Sequence, residues 1–480
     1  MRPRPRPQRR PVLASAARKP QPKTPPPVPP TSSSLTRRAL LAGAAGLAAA
    51  PLGAVRALGQ TRGADTVEVI IIGAGAAGIA AARKVAEAGH SYALLEASNR
   101  VGGRARTDTQ IFGVPFDMGA SRIHLPGGRA LAEAGRAAGL DLVGVPMPAR
   151  LYLGGKEAND AEYEDFAATV RRAERAIIAA GDAGRDQPAA RVLPDLGAFG
   201  PSAHFITGPF TCAKELEEVS TVDFSRAEER EGEMACRQGL GAMVAKLAQP
   251  LTVRLETQVR TVDLSGRQVS VQTSRGTLTG RVVILAVPPS VIASGLLRIT
   301  PGLVPRYRTA VERITLGAFD RIAFELPGNP LGLKADERLF FKAATSRSTA
   351  LAARIGGTDL YGFDVGGALA LALAGGPPEG ARAFVRETLT QEFGAQAAAK
   401  VGRVSATRWT KEPFALGAFS CALPGAGNLR RAFTEVASGR LLFAGEHAHE
   451  TLWGTLAGAW QSGERAAAQA VGVLTNPRAG

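Results

Sequence analysis

A short apolar strand that runs directly into three glycines constrains this chain more than any other feature. Val67 to Ile72 is dense in β-branched residues and too short for a helix, so it reads as a buried parallel strand. Gly73, Gly75 and Gly78 follow at once. In such a junction the first glycine permits the tight turn, the second lets backbone approach a pyrophosphate, and the third lets a helix lie close on the strand. Ile79 to Glu87 is good helix sequence and Gly89 a natural stop. Tyr92 to Leu95 reads as the next strand and ends in Glu96, 18 residues after Gly78, where an acid can take ribose hydroxyls. Strand, glycines, helix, strand and acid in that order predict a dinucleotide site.

The sequel separates the candidate dinucleotides. Arg100-Val101-Gly102-Gly103-Arg104 adds a second glycine turn, with more backbone donors and guanidinium groups for a pyrophosphate. This arrangement resembles the flavin-containing amine oxidase superfamily, which includes monoamine, polyamine and L-amino acid oxidases. The resemblance resumes at Leu441-Leu442-Phe443-Ala444-Gly445-Glu446-His447, at Gly454-Thr455-Leu456-Ala457-Gly458-Ala459 and at Ser462-Gly463. Two matches in the right order at opposite ends are more specific than either alone. An NAD-dependent dehydrogenase is disfavoured by Arg104 and the C-terminal segment.

The resemblance implies FAD, with Gly73, Gly75, Ala77, Gly78, Glu96, Ala97, Gly103 and Arg104 around its adenosine and pyrophosphate. It implies Gly119, Ala120 and Ser121 along the isoalloxazine ring, where small residues allow close approach. A residue at the place of Val259 holds the adenine through its backbone, and Gly445 and Glu446 meet the ribityl and pyrophosphate. Thr455, Leu456 and Ala457 sit at the pyrimidine edge, where the dipole of the last helix stabilises negative charge. Ala418 occupies the position that carries the covalent flavin cysteine in mammalian monoamine oxidases, and Cys421 is three residues away, so non-covalent FAD is expected.

Four residues are candidates for the chemistry. Arg122 corresponds to the arginine that pairs with the substrate carboxylate in L-amino acid oxidases; the alternative is an arginine bound to protein or flavin phosphate. Arg321 stands where many family members carry a lysine that assists the reaction with oxygen, which leaves another electron acceptor open. Thr455 stands where amine oxidases often place an aromatic wall, and Trp453 either supplies that wall or is structural. His124 reads as a packed, hydrogen-bonded histidine or a second polar pocket residue.

The net charge of +16 does not describe the folded body. Residues 1–64 hold twelve Lys and Arg and no acid, which leaves +4 for the rest, so no nucleic-acid partner is expected. That segment is Pro- and Arg-rich to about residue 30, and Thr36-Arg37-Arg38-Ala39-Leu40-Leu41 then opens an Ala/Leu/Gly-rich stretch to Val55. It resembles a twin-arginine export signal, which implies a periplasmic protein, and it is short and weakly hydrophobic for a stable membrane span. Three cysteines allow at most one disulfide, and the five histidines show no metal-ligand spacing.

The fold expected is α/β. A discontinuous Rossmann-type FAD domain takes residues 65–120, 238–290 and 436–480. A mixed sheet-and-helix substrate domain takes 121–237 and 291–435. Residues 127–235, rich in Ala, Glu and Arg, read as mainly helical, with their charges on solvated faces. The function expected is oxidation of an amine-bearing carbon to an imine, with hydride passing to the flavin and then to oxygen or another acceptor. An L-amino acid is the first substrate expected, and a primary or secondary amine the alternative. A non-catalytic FAD-binding protein is the further alternative, and a homodimer is an allowed assembly.

Overall fold

The computed structural model describes residues 66–145, 149–228 and 232–475. The twin-arginine segment lies outside the described residues. Thr66–Ile72 forms the expected strand, with Val69 to Ile72 buried. It pairs in parallel with Tyr92–Leu95 on one side and Gly276–Leu285 on the other. The eight-stranded sheet runs Val253–Arg254, Tyr92–Leu95, Thr66–Ile72, Gly276–Leu285, Val269–Thr273, Val259–Asp263, Arg298–Thr300. Leu441–Phe443 pairs in parallel with the second half of Gly276–Leu285. Four parallel strands therefore end side by side at Ile72, Leu95, Leu285 and Phe443, and ligands of open α/β sheets bind beyond such carboxyl ends.

Two helices cover one face of this sheet. Ala77, Ala81, Ala82 and Val85 of Ala76–Glu87 pack with Ala466, Ala467, Ala470 and Leu474 of Leu456–Thr475 and with Val69, Ile71 and Ile284. Small residues bring the two helices close: a Cβ on Gly463 would lie 2.0 Å from the Ala77 carbonyl oxygen. The other face, which includes Phe443, packs against Tyr307, Val311 and Phe433.

A second, seven-stranded sheet runs Val404–Ala406, Phe319–Glu325, Leu360–Gly366, Thr349–Ala352, Arg338–Phe341, Arg150–Leu153, Lys156–Glu157. Its register sets Arg321, Asp364, Ala350 and Phe340 opposite one another across four strands, hence on one face. The other face, through Ile322, Phe324 and Phe363, is buried with Val385 and Leu389 of helix Gly380–Phe393.

The segment expected to be mainly helical is a mixture. Helices Arg129–Ala137 and Asp160–Asp182 are present, the second opened by a capping box at Asn159 and Glu162. Strand Arg150–Leu153, however, belongs to the second sheet. Strand Gly232–Cys236 pairs with both Ile123–Leu125 and Leu142–Gly144. Short strands with charged residues on one face give weak period-2 patterns, and a long neighbouring helix dominates the composition. Cys212, Cys236 and Cys421 are buried, and no disulfide joins any of them.

Candidate active site

Beyond the carboxyl ends of the parallel strands lies a cleft of about 400 Å³, lined by residues from both sheets. Its first section is built by the two glycine turns. Gly73 has φ +101, and a Cβ there would meet the Ala286 oxygen at 2.7 Å. A Cβ on Gly78 would meet the Gly73 oxygen at 1.8 Å, so Gly78 acts through packing and does not line the cleft. Gly75 is different: its nearest neighbour would be the Gly102 oxygen at 4.0 Å, and the protein leaves that space open. Gly102 donates its amide to the Ala74 oxygen at 2.8 Å, which stitches the two turns together.

This section fits the FAD that the sequence implies. Helix Ala76–Glu87 begins at the cleft with no side-chain cap and no acid in its first turn, so its orphan amides and dipole suit a diphosphate. Ala77, Ala97 and Gly103 line the cleft beside it. Glu96 is buried and lines the cleft too. Its carboxylate accepts from the Ala74 amide at 2.8 Å and from the Ser98 amide and hydroxyl at 2.9 and 2.8 Å. Each of its oxygens retains acceptor capacity for a ribose hydroxyl. Val259 lines the cleft near Thr257 and Gln258.

Arg104 and Glu446 both line the cleft and pair with each other there. Arg104 donates to Glu446 Oε1 at 2.8 Å and to the Ala418 oxygen at 2.7 Å. Glu446 also accepts from the Ser420 amide at 3.1 Å, the Ser420 hydroxyl at 2.6 Å and the Gly454 amide at 2.8 Å. Burial alone would raise its pKa; Arg104, His447, the Ser420 hydroxyl and Arg430 outweigh that and hold it at about 2. The Glu446 carboxylate thereby ties together three cleft segments, at Arg104, Ser420 and Gly454. Gly445 lies on the cleft with φ +139 and donates its amide to Ser462.

The middle section is the segment Gly119, Ala120 and Ser121, which lines the cleft. A Cβ on Gly119 would lie 1.9 Å from the Arg104 oxygen and 3.0 Å from Trp409. Thr455 caps the last helix: its hydroxyl accepts from the Gly458 amide at 2.9 Å and donates to the Leu452 oxygen at 2.7 Å. Thr455 and Leu456 line the cleft, whereas Ala457 is buried beside it.

Trp453 is not a wall of this cleft. It is fully buried, its indole donates to the Asp223 oxygen at 3.3 Å, and Arg430 stacks on its ring at 5.1 Å. Arg430 in turn holds the Asp223 carboxylate through two nitrogens, at 2.5 and 2.8 Å. The Glu446-bound turn at Gly454, with φ +70, leads Trp453 into the core while Thr455 faces the cleft. Cys421 is likewise buried in that core, and Ala418 lines the cleft; no cysteine does among the described residues.

The far section carries the charged groups. Arg321 donates to Asp364 at 2.8 Å and to the Asp117 oxygen at 3.0 Å, and its guanidinium lies 5.4 Å from the Phe116 ring centre. Arg122 donates to the Ser121 oxygen and lies 3.5 Å from Glu233. His124 faces Glu233 across a strand pair at 3.6 Å. Glu233, Arg338 and Asp364 line this section and escaped the sequence reading, because their charges look like solvated faces until strand register is known. The section is walled by Phe340, Phe210, Phe319 and Phe419, each ring within 6.2 Å of the next.

A profile of the flavin containing amine oxidoreductase family matches residues 76–471. The chain belongs to this family. The cofactor of this family is FAD, and among the described residues no cysteine lines the cleft that fits it. Human lysine-specific histone demethylase 2 is 23% identical over 441 residues, covering 84% of this chain and 53% of the demethylase. The chain thus spans about half the length of the curated relatives it matches. Among solved structures, cyclohexylamine oxidase from Brevibacterium oxydans aligns with a TM-score of 0.72 at 21% identity. Putrescine oxidase bound to putrescine aligns at 0.71 and 20%. Each alignment covers 85% of this chain and 99% of the other. These two likenesses show the α/β fold expected from the sequence. Among the described residues no helix is long and apolar enough to cross a membrane, and no side-chain group is arranged to hold a metal ion.

Proposed function

We propose that this amine oxidoreductase dehydrogenates the carbon–nitrogen bond of a primary or secondary amine, giving an imine that water hydrolyses. FAD, when bound, supplies the hydride acceptor. The protein's part is positioning. The phenylalanine-walled section holds the substrate body against the Gly119–Ser121 segment, and Thr455 aims the N-terminus of the last helix at the cleft. The observation that carries this reading is that aromatic wall, continuous through Phe319 and Phe419 with Trp409 beside Gly119. The names of the two solved oxidases, which refer to cyclohexylamine and putrescine, support an amine over an amino acid.

A second reading, an L-amino acid as substrate, is favoured by Arg122 on the cleft wall. Anaerobic bleaching of flavin absorbance by a panel of L-amino acids and their decarboxylated amines separates the two. Bleaching by the amines alone supports the first reading. Bleaching by the acids alone, lost in Arg122→Ala, supports the second. Bleaching by neither supports a non-catalytic FAD-binding role.

Arg321 supports an electron acceptor other than oxygen, since guanidinium stays protonated and is held here by Asp364. Slow reoxidation of the reduced protein in air, with fast reoxidation by an artificial acceptor, is the result expected; fast reoxidation in air refutes it. The Thr36–Leu41 motif supports export, and Arg37→Lys with Arg38→Lys should retain the protein in the cytoplasm.

A further inference from the structure

We infer that Asp320, a carboxylate that does not line the cleft, is a positioning residue for the reaction: one of its oxygens holds both the Trp409 wall and the main chain that carries Arg321. This rests on the proposed amine oxidation and adds to it a residue that acts from behind the cleft wall.

The placement follows from register. Phe319 and Arg321 line the cleft, and Asp320, between them on the same strand, points to the opposite face. Val365 stands opposite it, and Ile322 and Ala370 make this face part of an apolar core. Asp320 is 3% exposed. Such a strand position ordinarily takes an apolar residue, because burying a carboxylate is costly. The carboxylate is only half used: Oδ1 accepts from the Thr407 hydroxyl at 2.8 Å and from the Trp409 amide at 2.9 Å, while Oδ2 is buried and makes no hydrogen bond. The two bonds on Oδ1 are therefore what the buried acid provides.

Both bonds lead to the cleft. The Trp409 indole donates to the Met118 oxygen at 3.0 Å, and its ring lies against Gly119, at the start of the segment that lines the middle section. The Thr407 hydroxyl accepts from the Arg321 amide at 2.9 Å, and the Thr407 amide donates to the Arg321 oxygen at 3.0 Å. One oxygen thus fixes an aromatic wall and the backbone from which Arg321 reaches Asp364. Such bonds are roughly twice as strong to an ionised acceptor as to a neutral one.

The state of Asp320 changes in an accessible pH range. Burial pushes its pKa up to about 6, against the lowering effect of the Trp409 amide, the Thr407 hydroxyl and Arg408. Arg408 is the charged group that acts on it. Arg321 points away on the other face, and neither strand Val404–Ala406 nor helix Gly367–Gly375 carries a titratable residue. Asp320 is ionised at pH 8. Below about pH 6 it gains a proton, Oδ1 becomes a weaker acceptor, and the wall and the Arg321 backbone loosen together.

The test reads the bound flavin and needs no turnover. FAD-loaded parent and Asp320→Asn are titrated from pH 8 to pH 5 and followed by visible circular dichroism, which responds to what packs on the flavin ring. The parent should show a one-proton step with a midpoint near pH 6. Asp320→Asn keeps an acceptor without the titrating group, so it should load FAD and lack the step. Asp320→Leu has neither and should bind FAD about tenfold or more weakly at pH 8. A parent without the step, a step that persists unchanged in Asp320→Asn, or an Asp320→Leu variant that binds FAD within twofold of the parent would overturn the inference. If neither variant loads FAD, Thr407→Val decides. Loss of a hydroxyl that donates to Asp320 should raise the midpoint by about half a pH unit or more, and an unchanged midpoint would be fatal. A step lost in Asp320→Asn, in a protein that no amine bleaches, would refute the oxidase reading and leave the role of Asp320 at the flavin standing. Bleaching by amines with the step unchanged in Asp320→Asn would do the reverse.

Discussion

Replacing Glu446 by Gln should destabilise the protein strongly at neutral pH and progressively less in acid. The carboxylate is buried and accepts from Arg104, the Ser420 amide and hydroxyl, and the Gly454 amide. Its folded pKa of about 2 lies below the ordinary value of 4.5. A depressed carboxylate stabilises the fold above its unfolded pKa and loses that contribution as pH falls toward the folded one. The difference corresponds to about 3 kcal/mol at pH 7 and about 2 kcal/mol at pH 3.5. Gln keeps one acceptor and the shape but cannot neutralise Arg104. Urea unfolding of parent and variant at pH 7 and pH 3.5, followed by tryptophan fluorescence, would measure the gap at each pH. A gap that narrows by about 1 kcal/mol toward acid is expected from the same linkage. A gap of equal size at both pH values would refute the charge argument and leave Glu446 a neutral hydrogen-bonding post.

The two motif glycines should respond differently. Gly78→Ala places a Cβ 1.8 Å from the Gly73 oxygen and should yield protein that is poorly folded and free of flavin, checked by expression and absorbance at 450 nm, roughly where oxidised flavin absorbs. Gly75→Ala has room within the protein, so its unfolding midpoint without FAD should stay within about 1 kcal/mol of the parent while FAD affinity falls about tenfold or more. Trp453→Phe loses the indole bond to Asp223 and part of its stacking on Arg430; it should cost about 1–3 kcal/mol of stability yet leave the substrate KM unchanged, as steady-state kinetics would show.

The nucleotide end of the cleft was legible in the sequence because its determinants are local. Strand, turn, helix and acid lie within one stretch, and the observed strand Tyr92–Leu95 has the expected bounds. The substrate end was not. Glu233 reads as one charge in a Glu- and Arg-rich run, and only the pairing of Gly232–Cys236 with Ile123–Leu125 sets it opposite His124. Asp364 faces Arg321 through the register of a sheet whose strands come from distant segments. Trp453 stayed open between wall and core for a related reason: the residues on either side of Gly454 point in opposite directions, and sequence does not show which of Trp453 and Thr455 faces inward. Arg104 shows the same limit, since an ion pair with Glu446 and a phosphate contact call for the same guanidinium.

The wall of the nucleotide section has a consequence for when the protein becomes complete. Gly73 and Gly445 follow strands that flank Gly276–Leu285 on either side, yet they lie far apart in sequence. Leu441–Phe443 can dock on Gly276–Leu285 only after the more than 150 residues between them have been synthesised, and the helix that closes the cleft, Leu456–Thr475, follows later still. Pairings between such remote segments are slow to form, and chains of this size pass through incomplete intermediates. A ribosome-bound or prematurely terminated chain therefore has the glycine turns but no enclosed chamber. Acquisition of the cofactor becomes a late step of folding, and it reports that residues 441–475 have been made and have folded into place.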